Sequence, residues 1–291
     1  MASTINAKTT GVGGIDATGD ASGVLALQTG GTTAITIDAS QVATFVNGIS
    51  TPNTFAFKNR LINSQLLINQ RGVSGTVTLS AGAYGHDRFK AGASGCTYTF
   101  ATANNVTILT ISAGSLQQVV EGLNLESGTY TLSWTGTVQG KFNGGSYSAS
   151  GITGSITGGT NTTVEFNTGT LSLSQLEKNS TATSFDYRPY STELSLCNRY
   201  YVGANGVSYF TAGYDTSYTT INSGGLSWDY QMRTTPTIII VSGAMDGHHA
   251  VAPTVRSGPV YYGVGLQFSG SGLRTGANCS ASVIYTLSAE L

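Results

Sequence analysis

Along most of this chain apolar and polar residues alternate one by one, and the alternation breaks off after a few positions at glycine, asparagine or aspartate. Tyr130, Leu132 and Trp134 interleave with Thr131, Ser133 and Thr135, the period of two that turns one face of a strand inward and the other to water. The same pattern predicts strands at 66–68, 75–79, 97–100, 106–111, 128–135, 138–142, 150–157, 162–166, 171–173 and 184–187. Such spacing belongs to a sandwich or jelly roll. Before them, Val24-Leu25-Ala26-Leu27, Ala34-Ile35-Thr36-Ile37 and Val42-Ala43-Thr44-Phe45-Val46 are shorter strands bounded by Gly30-Gly31 and Asp38-Ala39-Ser40. After them, strands are expected at 207–214, 227–232, 237–241, 261–268 and 281–287.

One segment has a helical period. Over 191–201, Leu194, Cys197 and Tyr201 fall at i, i+3 and i+7, Ser191 stands where a cap is needed, and Glu193 lies in the first turn. Pro189 holds Arg188 extended and cannot donate to a sheet, which places a boundary there. The expected organisation is all-β in three parts: 1–50, a short stalk or attachment segment; 51–189, a jelly-roll-like sandwich; and 190–291, a second, distal β domain. Strands as short as those of 1–50 cannot bury a face alone, and copies of the same chain are the simplest partners, so this segment is expected to trimerise.

Composition narrows the function. Only 13 Lys+Arg and 14 Asp+Glu occur in 291 residues, 9% of the chain, where a soluble domain carries about 25%. Glycine, at 39 residues, and abundant Ser, Thr and Asn take their place. A net charge of −1 without a basic cluster gives no footprint for nucleic acid. The longest apolar run, Ile238-Ile239-Ile240-Val241, is too short to span a bilayer, and no basic-then-apolar leader opens the chain. A soluble protein made in a reducing cytoplasm is expected, because Cys96, Cys197 and Cys279 are odd in number and widely spaced. The Asn-x-Ser/Thr matches at Asn105, Asn161, Asn179 and Asn278 carry no weight in so Thr-rich a chain.

Several patches carry a resemblance. Asn53-Thr54-Phe55-Ala56-Phe57-Lys58-Asn59-Arg60-Leu61-Ile62-Asn63, Ile68-Asn69-Gln70-Arg71-Gly72, Tyr84-Gly85-His86-Asp87-Arg88-Phe89, and Phe185-Asp186-Tyr187-Arg188-Pro189-Tyr190 with Glu193, Leu194, Cys197 and Arg199-Tyr200-Tyr201 resemble a family of bacteriophage tail and fibre proteins. Met232-Arg233-Thr234-Thr235-Pro236-Thr237 and the stretch from Tyr285 to Leu291 agree with it. Phe89 stands where the family commonly has Trp, and Asn63-Ser64 where it has Asn-Gly. Residues 23–38 are similar to the repeats that precede such domains. The resemblance implies a homotrimeric virion protein with a sandwich head as a candidate holder of host-surface carbohydrate, and it supplies no catalytic residues.

Weighed residue by residue, catalysis finds little support. His86 and Asp87 are neighbours, so in extended chain their side chains point apart. The acids, Glu121, Glu126, Glu165 and Glu177 among them, stand singly, with no pair suited to glycoside hydrolysis. Asp246-Gly247-His248-His249 is the densest polar cluster; His248 and His249 are weak metal candidates on a threefold axis, with a hydrated loop tip the plainer reading. No cofactor is expected. Glycan binding by stacking on aromatic rings needs little charge, and its candidates are Tyr209, Tyr214, Tyr218, Tyr261 and Tyr262 with Asp215, Asp246 and Arg256. Trp134 and Trp228 are expected in cores. The expected function is a tail fibre or minor tail protein, not an enzyme, located in the virion and bound to other phage proteins through 1–50. The alternative is a non-adhesive virion protein such as a head fibre, capsid decoration or tail adaptor.

Overall fold

A computed structural model describes residues 2–9, 14–46, 57–203, 207–212, 220–227, 231–245, 254–255, 263–269 and 279–291. Among these the chain is mostly β, with a single α-helix. No helix of the described residues is long and apolar enough to cross a membrane.

The first sheet contains β1 (Ser3–Ala7), β2 (Ile15–Thr18), β3 (Leu25–Thr29), β4 (Thr32–Ile37) and β5 (Ala43–Phe45), in the order β2-β1-β3-β4-β5. β1 and β3 run parallel and the other pairs antiparallel. Register sorts the side chains into two faces. Ala17, Ile5, Leu27, Ile35 and Phe45 line up across one face, while Thr18, Thr4, Ala26, Thr36 and Thr44 line up across the other. Ala26 is the only buried apolar residue here among the described residues; Ile5, Ile15 and Phe45 are exposed. β1 and β2 were not expected from the sequence, because Ser3-Thr4-Ile5-Asn6-Ala7 has too few apolar positions to stand out.

The second sheet carries the main core. Its strands are β6 (Val77–Leu79), β7 (Lys90–Ala103), β8 (Val106–Val120), β9 (Gly128–Gly136), β10 (Gly140–Phe142), β11 (Ile152–Ile156), β12 (Thr162–Phe166) and β13 (Gly169–Glu177). β7 and β8 form a long hairpin. β12 and β13 lie end to end against β8, β10 and β9 lie end to end beyond them, and β11 pairs with β9. Tyr98, Leu109, Tyr130, Leu132, Val164, Phe166 and Leu171 are fully buried. Tyr130 and Leu132 face inward as expected, but Thr131, expected on the water face, is fully buried too. Trp134 is in this core as expected, edge-on to Phe166 with ring centroids 5.3 Å apart.

One continuous sheet encloses its own apolar face only if long strands change direction, and glycine permits this. Where β7 and β8 slip register between Ala91 and Cys96, Gly95 and Gly114 adopt φ of +79° and +70°. A Cβ on Gly114 would lie 2.0 Å from the Gly95 carbonyl oxygen, so no other residue fits. Farther across the sheet, at the end of β9, a Cβ on Gly136 would lie 2.0 Å from the Thr170 carbonyl oxygen.

The remaining elements are α1 (Tyr190–Asn198), β14 (Tyr201–Val202), β15 (Val207–Ala212), β16 (Thr220–Ser227), β17 (Thr237–Met245), β18 (Thr254–Val255), β19 (Gly263–Ser269) and β20 (Cys279–Ser288). β20 pairs with β14, β15 and β17, and β16, β19 and β18 form a separate sheet.

Several expectations need correction. Residues 66–68 and 184–187 are not strands, and the strand expected over 227–232 lies earlier, ending at Ser227, with Gln231 and Met232 outside any strand. The helix starts one residue early, with Pro189 rather than Ser191 at its cap and no side-chain cap bond; Glu193 N–H donates to the Pro189 carbonyl at 3.0 Å. It also ends before Tyr201, whose backbone pairs with Ser288 in the sheet.

Gly114→Ala is expected to cost about 3 kcal/mol or more, through clash and positive φ together, whereas Gly144→Ala, at φ +74° with open space around it, should cost about 1 kcal/mol. Urea denaturation midpoints of the two variants check the difference.

Candidate functional site

Residues 58–72 join no sheet, yet Leu61, Ile62, Asn63, Leu66 and Ile68 are buried. Buried peptide groups outside a ladder need other partners, and amide side chains supply them. Asn59 accepts from the N–H groups of Leu61 and Leu176, both at 3.0 Å, and donates to the Ser174 carbonyl at 3.0 Å. Asn63 accepts from Ile68 N–H at 2.9 Å and donates to the Ile68 and Asp87 carbonyls at 2.8 and 3.0 Å. Gln118, on β8, closes a pair of 2.7 Å bonds with the backbone of Ile62.

Charged side chains complete the junction. The buried Arg188 guanidinium donates to the Asn59 carbonyl and, at 3.2 Å, to that of Leu61; it also meets Glu193 at 3.2 Å and Asp186 at 3.7 Å. Arg199 and the Tyr200 hydroxyl bind Glu121 at 3.1 and 2.8 Å. Burial pushes the Glu121 carboxyl up, but those hydrogen bonds outweigh it and hold it below its usual range. Arg88 lies 3.5 Å from the centre of the Tyr200 ring and pairs with Glu290, which Arg71 reaches at 3.2 Å. Arg233 donates to the Ala289 and Glu290 carbonyls at 2.7 and 3.0 Å, and Lys90 to that of Leu291 at 2.7 Å. The last residues of β20 and beyond are thus tied to the second sheet.

Asp87 and His86 diverge, as adjacent residues in extended chain do. Asp87, fully buried, accepts from Gln70 N–H at 3.0 Å and its amide at 2.7 Å; burial raises its carboxyl above the ordinary value against the pull of these bonds and of Arg71. The His86 Nδ1 is 3.0 Å from the Tyr98 hydroxyl and its ring packs edge-on to Phe100, and burial lowers its pKa from 6.5 to about 4. Cys96 and Cys197 are buried free thiols raised by burial. Among the described residues His86 meets aromatic rings rather than a carboxylate, and Cys96 and Cys197 are buried.

Beside the junction a groove of about 390 Å³ opens between residues 67–70, α1 and Val202-Gly203. Leu67, Ile68, Leu194 and Val202 form its apolar wall, Asn69, Gln70 and Asn198 bring amides, and Tyr190 stands at 59% exposure. Gln70 is locked: its amide nitrogen is shared among Asp87, Asn198 Oδ1 at 3.2 Å and the Tyr201 carbonyl at 2.9 Å, while its oxygen accepts from Gly203 N–H at 3.0 Å. Asn69 is held in its own turn with Val73. Among the described residues no lysine, arginine, aspartate or glutamate lines the groove.

Of the residues nominated from sequence for glycan or metal binding, only Tyr209 falls within the described residues. Tyr209 is in β15, opposite Ser282. Tyr214, Asp215, Tyr218, Asp246, Arg256, Tyr261, Tyr262, His248, His249 and Trp228 lie outside the described residues. Among the described residues no group of three or more His, Cys, Asp or Glu is placed to hold a metal. The groove and the junction were missed, although one signal pointed to the latter. Eleven of the 27 charged residues, Lys58, Arg60, Arg71, Asp87, Arg88, Asp186, Arg188, Glu193, Arg199, Arg233 and Glu290, fall within a few short patches of a chain otherwise poor in charge. Comparison with protein-family models, curated proteins and solved structures gave no match.

Two outcomes are expected. Arg188→Met strands Asp186 and Glu193 without their buried counter-charge and should cost about 3–5 kcal/mol in urea denaturation. The unfolded chain protonates its histidine at 6.5 and the folded chain only near 4, so stability present above pH 6.5 falls by about 3 kcal/mol as pH drops through that window. In His86→Gln this part of the pH dependence should be absent, as equilibrium unfolding at pH 7, 5.5 and 4.5 would reveal.

Proposed function

We propose that this chain is a structural protein of a bacteriophage virion, a tail fibre or minor tail protein, that assembles as a homotrimer and holds the particle to a host-surface glycan. Residues 1–50 attach and trimerise in this reading, 51–189 form a jelly-roll-like sandwich and 190–291 a distal β domain. The observation that carries it is the first sheet. A single layer of short strands with Ile5, Leu27, Ile35 and Phe45 in one half-exposed row has no core of its own among the described residues, and such a sheet is stable only against another apolar face. Copies of the same row around an axis provide that face, with threonines outward.

The distribution of charge supports binding over catalysis. Asp87, Asp186, Glu121, Glu193 and Glu290 are engaged by arginines or amides inside the molecule, which leaves none of them free to act as a general acid or base. Trimerisation multiplies a weak affinity through avidity, so a single site of millimolar strength is enough for adhesion.

The full chain should sediment at three times its monomer mass, and Leu27→Asp with Ile35→Asp should reduce it to a monomer; a monomeric wild type overturns the assembly. Fluorescently labelled full-length protein should stain cells of some members of a panel of bacterial strains. Failure to stain any overturns adhesion and favours the non-adhesive virion protein.

A further inference from the structure

The groove beside α1 has a definite chemistry. Its apolar wall comes from Leu67, Ile68, Leu194 and Val202, and its mouth from the Tyr190 ring. The Tyr190 hydroxyl has no hydrogen-bond partner among the described residues, and Asn198, whose Oδ1 is occupied by Gln70, has an Nδ2 that donates to none of them. Tyr190 is largely exposed and Asn198 Nδ2 is not a buried orphan, so both are open to water and to a ligand. The floor beneath is rigid, because Gln70 is held by Asp87, Tyr201 and Gly203. An apolar wall, an exposed aromatic face, a free hydroxyl and a free amide donor are grouped with no charge lining the space.

This set discriminates among ligand classes. An anion would find no cation in the lining, a cation no carboxylate, and a purely apolar group would leave the amide and hydroxyl unpaired. A neutral sugar matches all of it: its C–H face packs on a tyrosine ring or aliphatic wall, and its hydroxyl edge both donates and accepts. The volume lies within the range of small-molecule sites, about 300–1,000 Å³, and so admits a short saccharide.

We infer that this groove binds an uncharged hexose unit, with Tyr190 as its stacking face and Asn198 Nδ2 as a hydroxyl partner. The inference deepens the adhesive reading by assigning the glycan to 67–70, α1 and 202–203 rather than to the tyrosines after residue 208.

Saturation-transfer NMR on the full chain tests it, with maltose, lactose, cellobiose and, as an anionic comparison, sialyllactose, each at about 10 mM, several times a millimolar dissociation constant. At least one neutral disaccharide should bind. Tyr190→Ala should weaken it about tenfold or more, whereas Tyr190→Phe, which keeps the ring, should change it by no more than about threefold. Asn198→Leu removes the amide donor and should also weaken binding. The groove is overturned if no neutral disaccharide binds, if Tyr190→Ala binds like wild type, or if only sialyllactose binds. Because Tyr190 is largely exposed, its variants should keep the wild-type thermal midpoint, which separates a lost contact from a lost fold. Cell staining separates the two readings: stained cells with no disaccharide bound leave adhesion standing and remove the groove, and the reverse result removes adhesion alone.

Discussion

An irregular segment, residues 58–72, passes through the interior, and its peptide groups have to be met without a β ladder. Asn59, Asn63, Gln118 and Arg188 meet them. Because each of these side chains serves two or more backbone groups, removing one leaves several buried donors or acceptors unpaired at once. That constraint explains why a chain so poor in charge concentrates its arginines and acids in a few short patches. The charges are the internal scaffold of the junction, and the surface is left to threonine, serine, glycine and asparagine.

The same junction connects distant parts of the sequence. Arg71 and Arg88 on one side of the molecule hold Glu290, while Arg199 and Tyr200 reach back to Glu121. β20 is therefore paired through its backbone with β14, β15 and β17, and held beyond its end by side chains of the second sheet. The groove inherits its rigidity from this arrangement, since Gln70 in its floor is fixed by Asp87 and by the backbone after α1. A surface whose side chains are already fixed by hydrogen bonds has little side-chain freedom left to lose on contact.

The patches rich in arginine and acid share one physical role. Asn59, Asn63, Gln70, Arg71, Asp87, Arg88, Asp186, Arg188, Glu193 and Glu290 are bonded to one another or to the same buried backbone. Their side chains are inward-facing. The charged patches therefore record how the junction is built.

Alternation located several strands of the main core and one row of its inward residues, because a period of two fixes the face once one side is buried: Tyr130, Leu132 and Trp134 could be assigned inward without coordinates. It saw only the middle of the long β7–β8 hairpin, whose Gly-, Ser- and Ala-rich ends carry too few apolar positions. Turns at Gly30-Gly31 were legible for a similarly local reason, glycine accepting positive φ, whereas the positive φ of Gln41, Leu66, Arg88 and Leu173 had no such signal. Contacts between residues far apart in sequence were not legible. Nothing local distinguishes Leu66-Leu67-Ile68 from a strand, and only the partners at Asn63 and Asp87 make it an irregular buried segment. Likewise, Tyr190 and Asn69 are 121 positions apart, and the groove they share exists because α1 packs its Leu194 and Cys197 against Ile62 and Ile68. Spacing records what a residue needs from its neighbours along the chain; tertiary structure alone decided which distant side chains would meet.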